Sequence, residues 1–222
     1  MPGKYPYYSD PRPEIRRLVQ ADGARILDVG CGEGVLGAGL KADGAAYVAG
    51  IELHAPSAEV ARRRLDLLVA GSVVDADLPF AHSEFDYLLF ADVLEHLPDP
   101  DAALQRCLPF LKPKGRVIIS VPNWRFYSVL LRLIVDRWSY TDAGVRDRTH
   151  LRVFTRYSVE QFVKHNGLEL IEIGRNHRLI EDQSEIGRLG AVATRISNAT
   201  LARWVFPELL AFQYVVVAAH PG

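Results

Sequence analysis

The chain has 222 residues and a formal net charge of −1, with 26 Lys and Arg against 27 Asp and Glu. That length suits one well-buried α/β domain over residues 1–222 and is short for two; the charge balance excludes nucleic acid or an anionic membrane as the main partner and leaves small ligands. Cys31 and Cys107 are the only cysteines, too far apart for a disulfide framework or a metal-type spacing, which points to a reducing cytoplasm and to no metal.

No signal-peptide run follows Met1-Pro2-Gly3. The longest apolar stretches, Tyr127 to Val135 and Tyr214 to Ala219, are too short or too charged to span a bilayer. Arg25-Ile26-Leu27-Asp28-Val29 reads as a strand ending in glycines, Leu36 to Ala42 as a helix and Ala46 to Ile51 as a second strand, together a βαβ unit. Helical residues from Ser57 to Leu65, an apolar run from Leu67 to Ala70 and the strand Phe85 to Phe90 continue the alternation. Pro100 to Leu111 reads as a helix, Pro113-Lys114-Gly115 as a turn and Arg116 to Val121 as a fifth strand. A helical stretch from Phe126 to Val135, a polar loop through Arg148, a helix from Ser158 to Asn166 and a strand from Leu168 to Ile173 follow. Glu185 to Trp204 suits one or two amphipathic helices, and Phe212 to Ala219 is the last strand. The pattern predicts a seven-stranded, mostly parallel α/β sheet with helices on both faces. The last strand lacks a crossover helix immediately before it, so an antiparallel edge position is expected.

In open α/β sheets ligands bind at the carboxyl ends of the strands, so the turn Gly30-Cys31-Gly32-Glu33-Gly34 is the place to look. Alternate glycines permit positive φ and let a ligand approach where a Cβ would collide. Gly32-Glu33-Gly34-Val35-Leu36-Gly37 formally satisfies G-x-G-x-x-G, which keeps a nicotinamide-dependent oxidoreductase in play, although its first glycine falls two residues after Gly30. Glu52, followed by Leu53, suits a ribose diol under either reading.

Four further segments carry a resemblance to class I S-adenosylmethionine-dependent methyltransferases. Ile26 to Gly34 resembles that family's first motif, Gly50-Ile51-Glu52 its second, Phe85 to Leu97 its fourth, and Leu111 to Arg116 the turn before its fifth strand. Tyr7 to Glu14, Val121-Pro122-Asn123 with Tyr127 to Leu131, and Asp147 to Thr155 are similar to a bacterial type-11, MetW-like subgroup often associated with glycosyltransferases and surface-polysaccharide synthesis. The resemblance implies a Rossmann-like fold with S-adenosylmethionine as cofactor. It also implies an N-terminal cap over residues 1–22 and acceptor-side lids or insertions over residues 123–157 and 180–207.

Sulfonium, amino-acid tail, ribose and adenine each need a different contact. Glu52 is expected to accept the ribose hydroxyls, at about 1.5–3 kcal/mol per charge-assisted bond. Asp28 would orient the glycine turn or bind the ammonium through water, and Arg12, beside Tyr8, is the natural bidentate partner of the methionine carboxylate. Register places Ser72 where the family has an acidic adenine contact, which shifts adenine recognition towards Val73; Ala91 and Asp92 would line the methionine portion. Adjacent Glu95 and His96 face different directions on a helix and are expected to cap or pack.

Methyl transfer to a hydroxyl needs alignment and a base near neutral pKa. His150 with Asp147 is the expected base, and Asn123, Tyr127, Tyr140 and Arg148 the expected acceptor contacts. The implied activity is O-methylation of a sugar or other small-molecule hydroxyl. The alternative is a MetW-like accessory partner of an acyltransferase, and an oligomer is compatible with either.

Overall fold

The computed structural model describes residues 9–177 and 207–221. Seven strands form one sheet in the order β3-β2-β1-β4-β5-β7-β6, where β1 is Arg25–Val29, β2 Tyr47–Glu52, β3 Leu67–Ala70, β4 Phe85–Ala91, β5 Leu111–Pro122, β6 Glu169–Asn176 and β7 Gln213–Ala219. The helices are α1 (Pro13–Arg16), α2 (Val35–Ala42), α3 (Ala55–Ala61), α4 (Pro100–Cys107), α5 (Tyr127–Ile134) and α6 (Arg156–His165), with a helical turn at Pro207–Leu210. The chain runs outward from β1 through β2 to β3, then returns to β4 on the other side of β1. That reversal opens a crevice at the carboxyl ends of β1 and β4, the place where such sheets bind ligands.

Both faces of the central strands are covered, which is why they read as near-continuous apolar runs. Leu27, Val29, Leu88 and Phe90 pack with Leu104 and Phe162 of α4 and α6. Ile26 and Leu89 point the other way, onto Leu36 and Leu40 of α2 and Ile15 of α1. The helix starts follow local chemistry. Asp99 Oδ1 accepts the Ala102 N–H at 2.9 Å ahead of Pro100, and Thr155 and Ser158 form a reciprocal capping box at α6.

β7 is antiparallel to both β5 and β6, as a strand entered without a crossover must be, yet it is not an edge. It lies between them, buried from Gln213 to Ala218, and β6 takes the edge instead. An uninterrupted apolar run needs cover on both faces, and an interior position supplies it. β5 begins at Leu111, five residues before the expected strand, and carries Pro113-Lys114-Gly115 as an irregularity in its pairing with β4 between Phe85 and Tyr87. No separate turn is needed, because a proline and a glycine are accommodated where the ladder is broken. α3 starts earlier and stops sooner than the Ser57–Leu65 expectation, with Pro56 in its first turn, where a missing N–H costs nothing. The expected helices from Glu185 to Trp204 lie outside the described residues, as does nearly all of the 180–207 insertion. No helix among the described residues is long and apolar enough to cross a membrane.

Candidate functional site

A cleft of about 790 Å³ opens at the crevice, bounded by the first turn, the ends of β2 and β4, and the loop carrying Asp142 to Thr149. Three glycines of the turn have positive φ, 70° at Gly30, 55° at Gly32 and 74° at Gly34. A Cβ on Gly30 would sit 2.3 Å from Val93 Cγ2, so this glycine is demanded by sterics as well as by φ. The turn is stitched to β2 by Gly30 and Cys31, whose N–H groups donate to Ile51 O at 2.8 and 3.1 Å.

Glu52 completes the fastening. It is 6% exposed; one carboxylate oxygen accepts the Gly32 N–H at 2.8 Å and the other the His54 N–H at 2.7 Å. Each carboxylate oxygen has a second lone pair, so Glu52 can shape the turn and still receive hydroxyl donors from the cleft it lines. Exposed Leu53 and buried Val73 add apolar wall beside it. Ser72 also lines the cleft, with its hydroxyl oxygen accepting the Val74 N–H at 3.2 Å. Gly34 lies outside the wall and serves as the left-handed start of α2.

Asp28 is buried beneath the turn, and its Oδ1 has no hydrogen-bond partner among the described residues. Burial pushes its carboxyl up to about 7, nearby Glu52 adds to the rise and Arg12 works against it. The Cys31 thiol is also pushed up, by burial and then by Asp28, which makes it an inert wall group. Arg12 lines the cleft at 7% exposure in a left-handed conformation and is ion-paired with Asp92. Asp92 also accepts Ser120 Oγ–H at 2.6 Å and Gln213 Nε2–H at 2.6 Å. The carboxylate thereby ties the N-terminal segment to β5 and β7 just below Ala91. Tyr8 lies outside the described residues.

The acceptor side departs most from expectation. Asp147 meets His150 through the main chain, its carbonyl accepting the His150 N–H at 3.1 Å; its Oδ1 accepts the Thr149 N–H at 2.8 Å and the Thr149 hydroxyl at 2.7 Å. With its proton committed there, Thr149 Oγ1 accepts from Nδ1 of His96 at 3.0 Å, which makes Nε2 the basic nitrogen of that ring. His96, expected to be structural, is in the cleft wall with Asp147, Arg148 and Thr149, and His150 is not. The His150 ring meets His96 edge to face at 4.8 Å, with its Nδ1 donating to Val145 O at 3.1 Å. Burial holds both imidazoles below the usual histidine range, and His96 lowers His150 further. Glu95, 1% exposed, is pushed well above the usual carboxylate range by burial and by Asp92. Ligand atoms of Glu95, His96 and His150 lie within 4.8 Å of one another. Sequence spacing hid this group because 54 residues separate His96 from His150; Asp147-Arg148-Thr149-His150 after a polar loop was its only signal.

Three expected acceptor contacts are elsewhere. Asn123 is fully buried and its amide is spent, donating to Glu208 O and Ala211 O at 2.6 and 2.8 Å and accepting the Arg125 N–H at 2.8 Å. It ends β5 by bracing the chain, a task its place after Pro122 imposes. Tyr127 packs on Phe126 with ring centroids 4.7 Å apart, and Tyr140 stands on Trp138 at 5.8 Å; neither lines the cleft. Arg148 does, paired with Asp142 at 2.6 Å. Val93, Leu97, His54 and Thr149 were missed, since nothing in their residue types marks them as cleft-lining.

This fold recurs in S-adenosylmethionine-dependent methyltransferases. The SAM-dependent methyltransferase from Archaeoglobus fulgidus superposes with a TM-score of 0.65 at 17% identity, covering 92% of this chain and 90% of that one. Magnesium protoporphyrin IX methyltransferase from Synechocystis PCC 6803, solved with bound SAH, gives 0.64 at 14% identity over 97% of this chain and 84% of its own. The chain belongs to the family described as a methyltransferase domain, whose model matches residues 6–173. A curated relative, the ubiquinone biosynthesis O-methyltransferase of Xylella fastidiosa (strain 9a5c), is 31% identical over 206 residues, spanning 84% of this chain and 80% of that protein. The chain is thus a methyltransferase that uses S-adenosylmethionine, which closes the nicotinamide reading left open by the glycine pattern.

Proposed function

We propose that the protein transfers the cofactor's methyl group to a hydroxyl of a small molecule, with His96 as the group that takes the hydroxyl proton. The observation that carries this is the Asp147–Thr149–His96 chain on the cleft wall, which fixes a basic nitrogen at an imidazole that burial keeps neutral. His150 supports His96 through ring contact and is not itself the base. Methyl transfer is an in-line displacement from a sulfur already activated by its positive charge, so the protein's work is alignment and proton removal.

In this reading Glu52 holds the ribose, Asp28 and Arg12 attend the ammonium and carboxylate of the methionine tail, and Ser72 and Val73 meet the adenine. Oxygen as acceptor draws support from the relative named for O-methylation in ubiquinone biosynthesis. Neither part of that name points to the sugar acceptor read from the sequence, and the apolar wall at Val93 and Leu97 favours a hydroxyl on an apolar body.

A panel of phenols and sugars, read as SAH released and methylated product by mass, tests the proposal. Phenolic product that falls by roughly 100-fold or more in His96→Ala supports it. Unchanged turnover in that variant removes His96 as base, and product from sugars alone returns the acceptor to the carbohydrate class. The MetW-like accessory reading makes a different prediction: stable co-purification with an acyltransferase and no methyl transfer.

A further inference from the structure

We infer that Arg152 is a positioning residue for methyl transfer, holding from outside the cleft the turn that carries His96 against the loop that carries Thr149. The inference rests on reading His96 as the group that takes the acceptor's proton, and adds what keeps that ring in place. Arg152 is exposed and lines no part of the cleft, so it is placed to touch neither cofactor nor acceptor. Its effect reaches the reaction only through the main chain it grips.

His96 needs holding because its own element supplies little. It ends the short 3-10 turn Leu94–His96, where the His96 N–H donates to Val93 O at 3.0 Å and the Leu97 N–H to Leu94 O at 3.3 Å. So short a turn has poor hydrogen-bond geometry and no cooperative length behind it. The chain then runs through Leu97-Pro98-Asp99-Pro100 into α4. Pro98 and Pro100 have no N–H, so this connection has few donors of its own with which to brace the turn.

Leu151 and Arg152 supply the donors. Glu95 O, just before His96, accepts the N–H groups of both at 2.7 and 3.0 Å. Pro98 O, just beyond His96, accepts from the Arg152 guanidinium. Between those two anchors the imidazole itself meets the same loop, with Nδ1 donating to Thr149 Oγ1 at 3.0 Å and the His150 ring centred 4.8 Å away. One run of chain, Thr149 to Arg152, thus grips the turn before, at and after His96.

Of these links, the Arg152 side chain is the one that substitution removes without touching the cleft or the backbone. A charge-assisted bond to Pro98 O fixes where that carbonyl lies, and with it the direction in which the chain leaves His96. Releasing it leaves the Glu95 clamp in place, so the turn stays folded but loosens on its far side. Displacing a reacting group by about 1 Å costs on the order of 100-fold in rate, and a turn still held at one end is expected to lose about 10-fold. Pro98 O requires a single donor at the end of a long stem rather than a fork. Lysine therefore replaces arginine here, whereas methionine keeps only the apolar stem.

The test compares the full parent chain with Arg152→Met and Arg152→Lys. Turnover is measured with the phenol of the acceptor panel that the parent methylates fastest, SAH affinity by calorimetric titration, and the His96 tautomer by long-range proton–nitrogen NMR. Arg152→Met should lose about 10-fold in kcat while KM and SAH affinity stay within about twofold, and Arg152→Lys should recover most of the loss. The parent spectrum should show the His96 proton on Nδ1, and Arg152→Met a mixture with the Nε2 form. An Arg152→Met protein with the parent's kcat and tautomer would overturn the inference, as would a loss that lysine leaves unrepaired. A brace that only stabilises the fold gives that first result, with a lowered melting temperature beside it. Unchanged turnover in His96→Ala, or no turnover by the parent, would strike the base reading instead, and the tautomer then decides alone whether Arg152 holds the ring.

Discussion

Asp28 and Gly30 show how narrowly the first turn is specified. The native Asp28 carboxyl, at about 7 against an ordinary 3.8, keeps its proton to a higher pH than an unfolded one does. Native protein therefore binds more protons between those values, and stability falls as pH rises through that window, by roughly 4 kcal/mol at the ceiling. Asp28→Asn removes this loss. Its melting temperature should exceed the parent's at about pH 8 and converge with it near pH 4, as scanning calorimetry would record. A constant gap across the range would mean that Asp28 is not buried as a neutral acid. The cofactor carries an ammonium and a sulfonium, either of which favours the ionised carboxylate, so S-adenosylmethionine should bind more tightly as pH rises through 7 in the parent and not in Asp28→Asn. At Gly30 a methyl group meets both Val93 and a positive φ. Gly30→Ala should lose cofactor affinity and about 1–3 kcal/mol of stability in urea unfolding, and Val93→Ala should restore only the part owed to the clash.

Among the elements, β7 and β6 make opposite predictions because one is interior and the other an edge. Val217 is 3% exposed between β5 and β6, while Ile171 of β6 is 52% exposed. Val217→Asp should cost more than about 3 kcal/mol, since it buries a carboxylate without a partner, and Ile171→Asp should stay within about 1 kcal/mol. Urea titrations of both would reveal an edge position for β7 if the costs came out alike. The antiparallel direction of β7 was legible from the missing crossover, and its interior place was already written in the run Tyr214 to Ala219, whose lack of alternation fits no edge strand. The extension of β5 back to Leu111 was not legible. Pro113 and Gly115 read locally as a turn, and only the partner strand decides whether a broken ladder continues.

At the scale of the whole molecule, one side of the cleft lining was legible in the sequence and the other was not, for one physical reason. Gly30, Gly32, Glu52 and Asp92 each sit at or just past the end of a strand, so strand patterns plus the reversal of strand order bring them together. The facing wall is made by a loop folding back on the turn after β4, and no periodicity records which histidine faces inward. The polar loop and neighbouring Asp147 point to His150, whereas His96 lines the cleft; Asn123 and Tyr127 are claimed by bracing and packing instead. The central proposal is that Glu52 holds the cofactor across the first turn. Calorimetric titration of SAH into the parent and Glu52→Gln measures this most directly. The prediction is a single site in the parent and a loss of roughly 10-fold or more in the variant, from weakened charge-assisted bonds to the ribose. An affinity unchanged by Glu52→Gln, in protein that melts as the parent does, would contradict it.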